Sequence, residues 1–251
     1  MTAAPRRIPS WAAARTTAGL ASARRRDRAG RAALIGFAVA AAGDLGSLLA
    51  GWDPGHVLFK PLLMPLLIVY VLTLGAPRLL VAALAFGWGG DTALLFDADA
   101  AFLVGMSSFA LGHVCYLVLF GKRSAPPLLG AAYLLALAGT ISLLWGDLPA
   151  ELRIPVAGYS LLLAAMAFRS SALGVRAALG GALFLLSDTL IATGVAEWPQ
   201  PPRPDFWIML TYLAAQYLLA TGVLAAGTAP AGAPEAGRTG GGTDRGRTGV
   251  R

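Results

Sequence analysis

The sequence predicts an all-α, polytopic membrane protein: a helix bundle with about eight transmembrane helices and with both termini in the cytoplasm. Three observations support this prediction. Of the 251 residues, 57% are hydrophobic and 13% are charged, which is about half the charge of a typical soluble domain. The apolar residues form long blocks, as membrane-spanning helices require. The basic residues are concentrated in alternate connecting segments, a distribution typical of membrane topology.

Eight apolar blocks are candidates for spanning a bilayer, and segments rich in Gly and Pro separate several of them. The predicted spans are Ala32–Trp52, Val57–Leu74, Leu79–Phe96, Phe102–Phe120, Leu128–Trp145, Ile154–Phe168, Ala177–Val195 and Phe206–Ala226. A helix is the expected spanning element because it satisfies its own backbone hydrogen bonds in lipid. The sixth span is the shortest, so we expect it to cross a thin region, to tilt or to extend into its flanks.

The two ends of the chain differ in composition from the predicted transmembrane domain, residues 32–226. Residues 1–31 hold eight arginines among Ala, Pro and Ser, which predicts a disordered, basic cytoplasmic arm in contact with anionic lipid. A cleaved signal peptide is the alternative, but the following apolar stretch is longer than the about 7–15 residues of a signal core. Residues 227–251 are rich in Gly, Ala, Thr and Arg and predict a disordered cytoplasmic tail.

The charged residues outside the spans predict the orientation. Seventeen of the 20 basic residues lie in the arm, the tail and the loops after spans two, four and six. The opposite loops are acidic, with Asp53, Asp97, Asp99, Asp147, Glu151, Glu197 and Asp205. Basic segments stay on the cytoplasmic side during insertion. We therefore expect a multi-pass protein of the cell membrane, and we attribute the net charge of +7 to topology, not to nucleic-acid binding.

Disulfide and metal chemistry are not indicated. Cys115 is the single cysteine, and His56 and His113 are the two histidines. An intramolecular disulfide is therefore impossible, and no Cys/His spacing typical of a zinc site exists. The sequence predicts a protein without a metal or a cofactor.

Nine polar side chains stand out because they lie inside the predicted spans. A charged group at mid-helix costs about 2.5–3.5 kcal/mol on insertion scales. Such groups usually face the bundle interior and mark a functional site or a pathway. The nine residues are Asp44, Lys60, Asp91, His113, Tyr116, Ser187, Asp188, Tyr212 and Gln216.

Helical spacing and depth predict that these side chains converge. Tyr212 and Gln216 are one turn apart in span eight, and Gly87 is one turn from Asp91 in span three. The glycine leaves room for a helix or a ligand beside the carboxylate. With the N-terminus inside, the polar groups of spans two, three, seven and eight fall in the outer half of the membrane. We expect them to share one cavity there, with His113 nearer the middle.

Each polar group also has a purely structural explanation. Asp44 could serve only in hydrogen bonding between helices, as could the tyrosines and Gln216. Lys60 could extend to the outer interface, or it could form a buried ion pair with Asp91 and Asp188. His113 could be an interior histidine whose ring is fully hydrogen-bonded.

Five sequence elements, taken together and in order, resemble the YhhN family of membrane proteins, the lysoplasmalogenase family. They are Lys60–Pro65 (KPLLMP), Gly87–Asp91 (GWGGD), Phe102–Tyr116 (FLVGMSSFALGHVCY), Gly181–Asp188 (GALFLLSD) and Tyr212–Gln216 (YLAAQ). No single element is specific, but the ordered set is, and the resemblance covers roughly residues 32–226. Trp88 and Gly89 depart from the bulkier apolar residues expected before the Gly-Asp pair.

The resemblance implies an ether hydrolase that acts on lysoplasmalogens, the alkenyl-glycerophosphocholines and alkenyl-glycerophosphoethanolamines. Its products would be a fatty aldehyde and a glycerophospho-base. Protonation of the outer vinyl carbon gives an oxocarbenium ion, which water then captures. This chemistry needs a protonated carboxylic acid and a second group that activates water, and two carboxyl groups in unequal environments divide these roles. The resemblance implies Asp91 and Asp188 as this pair, with either one as the acid.

The remaining polar residues are then expected to bind substrate. Lys60 would bind the lipid phosphate or tune one aspartate. The residues that would orient water and the head group are His113, Tyr116, Ser187, Tyr212 and Gln216, while Asp44 is a further possible member of the site. The expected partners are a lysophospholipid and the bilayer. Two other functions stay open: a small-solute or proton-coupled transporter that uses the same charges as a relay, and a non-catalytic lipid-binding protein.

Overall fold

The computed structural model describes the backbone of residues 10–228 and the side chains of residues 21–227. Over this range it contains eight α-helices, a short 3-10 turn (Ser171–Leu173) and no strand, so the predicted all-helical fold class is confirmed. The helices are α1 Ser10–Ala50, α2 Asp53–Thr73, α3 Arg78–Ala93, α4 Asp99–Phe120, α5 Pro127–Leu144, α6 Ala150–Ser170, α7 Val175–Val195 and α8 Pro204–Thr228.

Seven of the described helices are long and apolar enough to cross a membrane, which makes the chain an integral multi-pass membrane protein. The exception is α3, with 16 residues. At 1.5 Å per residue it covers about 24 Å, less than the about 30 Å of a hydrocarbon core. With α3 as a short eighth span, the structure agrees with the predicted number of about eight.

Helix α3 ends at Ala93, three residues before the predicted end of its span. The backbone N–H of Leu94 still bonds to the carbonyl of Gly90, but the next two N–H groups bond three residues back. This tightened turn is a common way for a helix to end. Gly87, Gly89 and Gly90 also weaken helix propensity in this segment. Helix α6, by contrast, extends beyond its predicted span at both ends.

Helix α1 differs from the predicted disordered arm, because residues 10–31 are helical and continuous with the first span. Ala and Arg are strong helix formers, so a helix that begins in the apolar span propagates readily through them. From residue 21 to residue 29 the side chains are exposed. The described part, Ala21–Ala50, is about 45 Å long and exceeds the hydrocarbon core. Residues 1–9 and most of the predicted tail, residues 229–251, lie outside the described residues.

The helices pack chiefly as neighbours in sequence: α1 with α2, α3 with α4, and α7 with α8. Helix α8 is the most buried of the candidate spans, because it also contacts α1, α2 and α3. Its contact with α7 is close: a Cβ at Gly180 would lie 2.8 Å from the backbone nitrogen of Leu219. Small residues of this kind allow helix backbones to approach within a membrane. Helix α5 packs mainly against α6 and is largely exposed.

Trp88, which departs from the expected family pattern, joins α3 to α2. Pro65 has no backbone N–H, so the carbonyl of Pro61 loses its normal helical partner. The indole Nε1–H of Trp88 donates to this carbonyl at 2.9 Å. The interaction fixes the start of α2, which carries Lys60, against the helix that carries Asp91.

Candidate active site

Asp91 is the acceptor at the end of a buried hydrogen-bond chain. The hydroxyl of Tyr212 donates to Asp91 Oδ2 at 2.8 Å, and the amide of Gln216 donates to Tyr212 Oη at 3.2 Å. The hydroxyl of Tyr116 in turn donates to Gln216 Oε1 at 2.9 Å. Asp91 is only 2% exposed. The chain therefore ties α3, α8 and α4 together in the bundle interior.

Gly87 makes this arrangement possible. A Cβ at this position would lie 2.9 Å from Gln216 Nε2 and 3.1 Å from Tyr212 Oη, so a side chain would press against both polar groups. The sequence predicted that Gly87 leaves room for a helix or a ligand beside Asp91. This is confirmed, because helix α8 packs against Gly87 through Tyr212 and Gln216. The one-turn spacing of Tyr212 and Gln216 places both side chains toward α3, as their hydrogen bond requires.

Asp188 belongs to a second hydrogen-bond chain. The hydroxyl of Tyr159, on α6, donates to Asp188 Oδ2, and Tyr159 Oη lies 3.1 Å from His113 Nε2 on α4. The imidazole of His113 is buried, and its Nδ1 has no hydrogen-bond partner among the described residues. Tyr159 thus contacts both Asp188 and His113 and links the two side chains.

Aromatic rings connect the two chains. The ring of Phe184 packs edge-on against His113, with centroids 4.8 Å apart, and against Tyr212 at 5.4 Å. Phe109 packs edge-on against both Phe184 and Tyr212. Asp91 and Asp188 are near enough to interact electrostatically, but the described hydrogen bonds place them in separate chains. The arrangement differs from the single shared cavity expected from the sequence.

An apolar cavity lies beside Asp188, at the end of the bundle predicted to face outward. It measures about 690 Å³, including the space at its mouth, and is lined by the end of α3 and by α4, α5, α6 and α7. Most lining residues are apolar. Its polar lining residues are Thr140, Tyr159, Ser160, Asp188 and Thr189. Asp188 is the only carboxyl group among the described lining residues, while Asp91 is not part of the lining.

The other predicted site residues lie outside the two hydrogen-bond chains. Lys60 is nearly buried and interacts electrostatically with Asp91, but the described residues give it no ion-pair partner within 4.0 Å. Asp44 is fully buried, and its Oδ1 lies 2.8 Å from His56 Nδ1, while its Oδ2 has no partner in the part of the chain that the structure describes. Ser187 donates to the carbonyl of Ile208 at 3.0 Å and thereby joins α7 to α8.

Tyr159 and His56 were not among the residues predicted from the sequence. Tyr159 lies inside the predicted sixth span, and the criterion that selected Tyr116 and Tyr212 applies to it equally. His56 is one turn before Lys60 at the start of α2, so it shares a face with a residue already singled out. Among the described residues, no group of three or more His, Cys, Asp or Glu side chains is arranged to hold a metal ion.

The fold and the site define a class: a multi-pass helical membrane protein with a carboxyl–tyrosine–histidine chain at the wall of an apolar cavity. The chain belongs to the YhhN family, whose sequence model matches residues 55–223. This match covers every predicted site residue except Asp44.

Relatives from three mammals support this assignment. The chain is 38% identical to the lysoplasmalogenase TMEM86B of Homo sapiens over 142 residues, which cover 57% of this chain and 62% of the human protein. The lysoplasmalogenase TMEM86B of Sus scrofa is 37% identical over 127 residues, 51% of this chain and 55% of the pig protein. That of Rattus norvegicus is 33% identical over 167 residues, 66% of this chain and 70% of the rat protein. The chain therefore matches less than two thirds of the human and pig proteins. No solved structure matches it.

Proposed function

We propose that this protein hydrolyses the vinyl ether bond of lysoplasmalogens within the cell membrane. The observation that supports this function most directly is the position of Asp188, which supplies the only carboxyl group among the described lining residues of a mostly apolar cavity. The similarity to proteins named lysoplasmalogenase supports the same substrate class. The products would be a fatty aldehyde and a glycerophospho-base.

The cavity suits a single-chain lipid. Small-molecule sites usually combine apolar walls with few polar groups, as the lining of this cavity does. We assign the alkenyl chain to the apolar walls and the vinyl ether to the vicinity of Asp188. Lys60 is a candidate partner for the phosphate because its ammonium group has no ion-pair partner among the described residues.

Asp188 is the proposed general acid. Its O–H bond breaks as the π electrons of the vinyl group form a C–H bond at the outer carbon, which leaves an oxocarbenium ion and an aspartate anion. Water adds to the cationic carbon and returns a proton to a carboxylate. The resulting hemiacetal transfers its hydroxyl proton to the ether oxygen as the C–O bond breaks, releasing aldehyde and alcohol. The sum is one vinyl ether and one water consumed, with the acid regenerated.

Asp91 is the proposed second carboxylate. It does not line the cavity, so we assign it an electrostatic role: Asp91 is near enough to Asp188 to act on it, and in its ionised form it favours the cationic intermediate. Buried charges of this kind act strongly because little water screens them. This assignment makes Asp188 the acid of the pair, a choice that the sequence left open.

The test is an aldehyde-release assay with detergent-purified protein and a lysoplasmalogen. We expect steady aldehyde release by the wild type and none by Asp188→Asn, which keeps the shape of the carboxyl group but cannot donate an acidic proton. Asp97→Asn is the matched control, because Asp97 is exposed in the α3–α4 loop, and it should retain full activity.

Other outcomes would assign a different function. Lipid that is bound but stays intact would indicate a lipid-binding protein, and wild-type turnover by Asp188→Asn would exclude Asp188 as the acid. Solute or proton flux through proteoliposomes without aldehyde release would favour the transporter.

A further inference from the structure

We propose that Tyr159 is a positioning residue that holds Asp188 for proton donation and couples it to His113. The proposal rests on the proposed function and adds a residue to its mechanism. Three observations support it. Tyr159 donates a hydrogen bond to Asp188 and contacts His113. It also lines the cavity together with Asp188.

The hydroxyl of Tyr159 binds one specific oxygen of Asp188. Its contact is with Oδ2, and the described hydrogen bonds leave Oδ1 without a partner. A carboxyl group fixed through Oδ2 cannot rotate freely, so Oδ1 keeps a constant direction. Oδ1 is therefore the atom that we assign to protonation of the vinyl carbon. Correct orientation of an acid is a large part of its catalytic effect.

The same hydroxyl stabilises the anion that proton donation creates. When Oδ1 loses its proton to carbon, negative charge spreads over both carboxylate oxygens. Tyr159 already donates to one of them, so its O–H dipole is in place before the charge develops. Hydrogen bonds to an ionised acceptor are roughly twice as strong as neutral ones. Tyr159 thus favours the step that forms the oxocarbenium ion.

His113 completes the chain because a phenol has a single proton. While Tyr159 donates to Asp188, its Oη can only accept from His113, which must then carry its proton on Nε2. If Asp188 instead holds a proton on Oδ2, the bonds reverse: Asp188 donates to Tyr159, and Tyr159 donates to an unprotonated Nε2. In that state the ring proton is on Nδ1 of His113, for which the described residues supply no partner. The chain can therefore accommodate a proton on either oxygen of Asp188.

The test is Tyr159→Phe, which removes the hydroxyl and keeps the ring that packs against His113 at 5.4 Å. We expect kcat to fall about 10²-fold while KM stays within about threefold, because the cavity wall keeps its shape. Tyr133→Phe is the matched control: Tyr133 lies on α5 and packs against Phe168, away from the site. It should change neither constant.

A second variant measures the coupling to His113. His113→Leu breaks the contact with Tyr159 and should also lower kcat. Combined with Tyr159→Phe, it should add little further loss, because residues that act through one network are not additive. If Tyr159→Phe does not fold, as judged by size-exclusion chromatography and thermal unfolding, the kcat and KM of His113→Leu decide the proposal.

The outcomes separate the two proposals. An active wild type with an equally active Tyr159→Phe variant would overturn the role of Tyr159 and leave the hydrolase intact. So would a rise in KM at unchanged kcat, which would make Tyr159 part of the cavity wall only. Fully additive losses in the double variant would remove His113 from the chain. A wild type that releases no aldehyde from any lysoplasmalogen would reject both proposals.

Discussion

Two aspartates in one membrane domain differ in what surrounds them. Asp91 is almost fully buried and accepts a hydrogen bond from Tyr212, at the end of a chain that reaches α4. Asp188 accepts its hydrogen bond from Tyr159 and borders the cavity. Unequal environments are the usual way in which a protein assigns different tasks to two carboxyl groups. The difference therefore supports a donor role for Asp188 and a purely electrostatic role for Asp91.

Replacement of Asp91 tests this division at the level of one residue. We expect Asp91→Asn to abolish aldehyde release while the protein still inserts and folds, because the variant lacks the negative charge that favours the cation. Substrate binding should persist, since Asp91 does not line the cavity. The measurements are the aldehyde assay and the binding of radiolabelled lysoplasmalogen. Asp99→Asn, at an exposed position, is the control, and wild-type turnover by Asp91→Asn would remove Asp91 from the mechanism.

At the scale of elements, α7 shows how one helix serves three environments. Gly180 and Ser187 face α8. Gly180 allows close packing of the two helices, and Ser187 donates a hydrogen bond to a backbone carbonyl of α8. Asp188 and Ala192 face the cavity. Ala182 is exposed on the outer surface of the bundle. The helical repeat separates these positions, so adjacent residues in sequence have different functions.

A larger side chain on the cavity-facing side of α7 should hinder binding of the substrate. Ala192→Phe adds a ring to a lining position, and we expect KM for a long-chain lysoplasmalogen to rise at least about tenfold, since a difference of one methylene in an apolar pocket already changes discrimination about 10–200-fold. Ala182→Phe makes the same substitution on the exposed face of the same helix and should have no effect. Michaelis–Menten analysis of both variants checks this. An unchanged KM for folded Ala192→Phe would show that the chain binds elsewhere.

At the scale of the whole molecule, the basic and acidic segments alternate along the bundle. The loop after α4 carries Lys122 and Arg123, and the loop before it carries Asp97. This alternation predicts opposite sides of the membrane for the two loops. The same alternation predicts that the cavity lies in the outer half of the membrane and that both termini are cytoplasmic.

Cysteine labelling in intact cells tests this orientation. In a Cys115→Ala background, we expect Asp97→Cys to react with a membrane-impermeant maleimide from outside. Arg123→Cys should react only after the cells are permeabilised. Both positions are exposed, so access to the reagent depends on sidedness. Labelling of Arg123→Cys in intact cells would reverse the predicted topology.

The sequence predicted the architecture closely because length and hydrophobicity are local properties. The largest difference is at α1, whose helix includes residues 10–31 of the predicted disordered arm. Composition indicated the low hydrophobicity of that segment correctly, but Ala and Arg are also good helix formers. An adjoining span supplies the nucleus from which such a helix grows.

By itself, the sequence determined the class of fold, the membership of the family and the polar residues that lie inside spans, because each follows from residue type and spacing. The tertiary structure alone decided which of these residues become partners. Tyr212 is 121 residues from Asp91, and Tyr159 is 29 residues from Asp188 and 46 from His113. Helical periodicity indicates which face of a helix is buried, but only packing sets which faces of different helices meet.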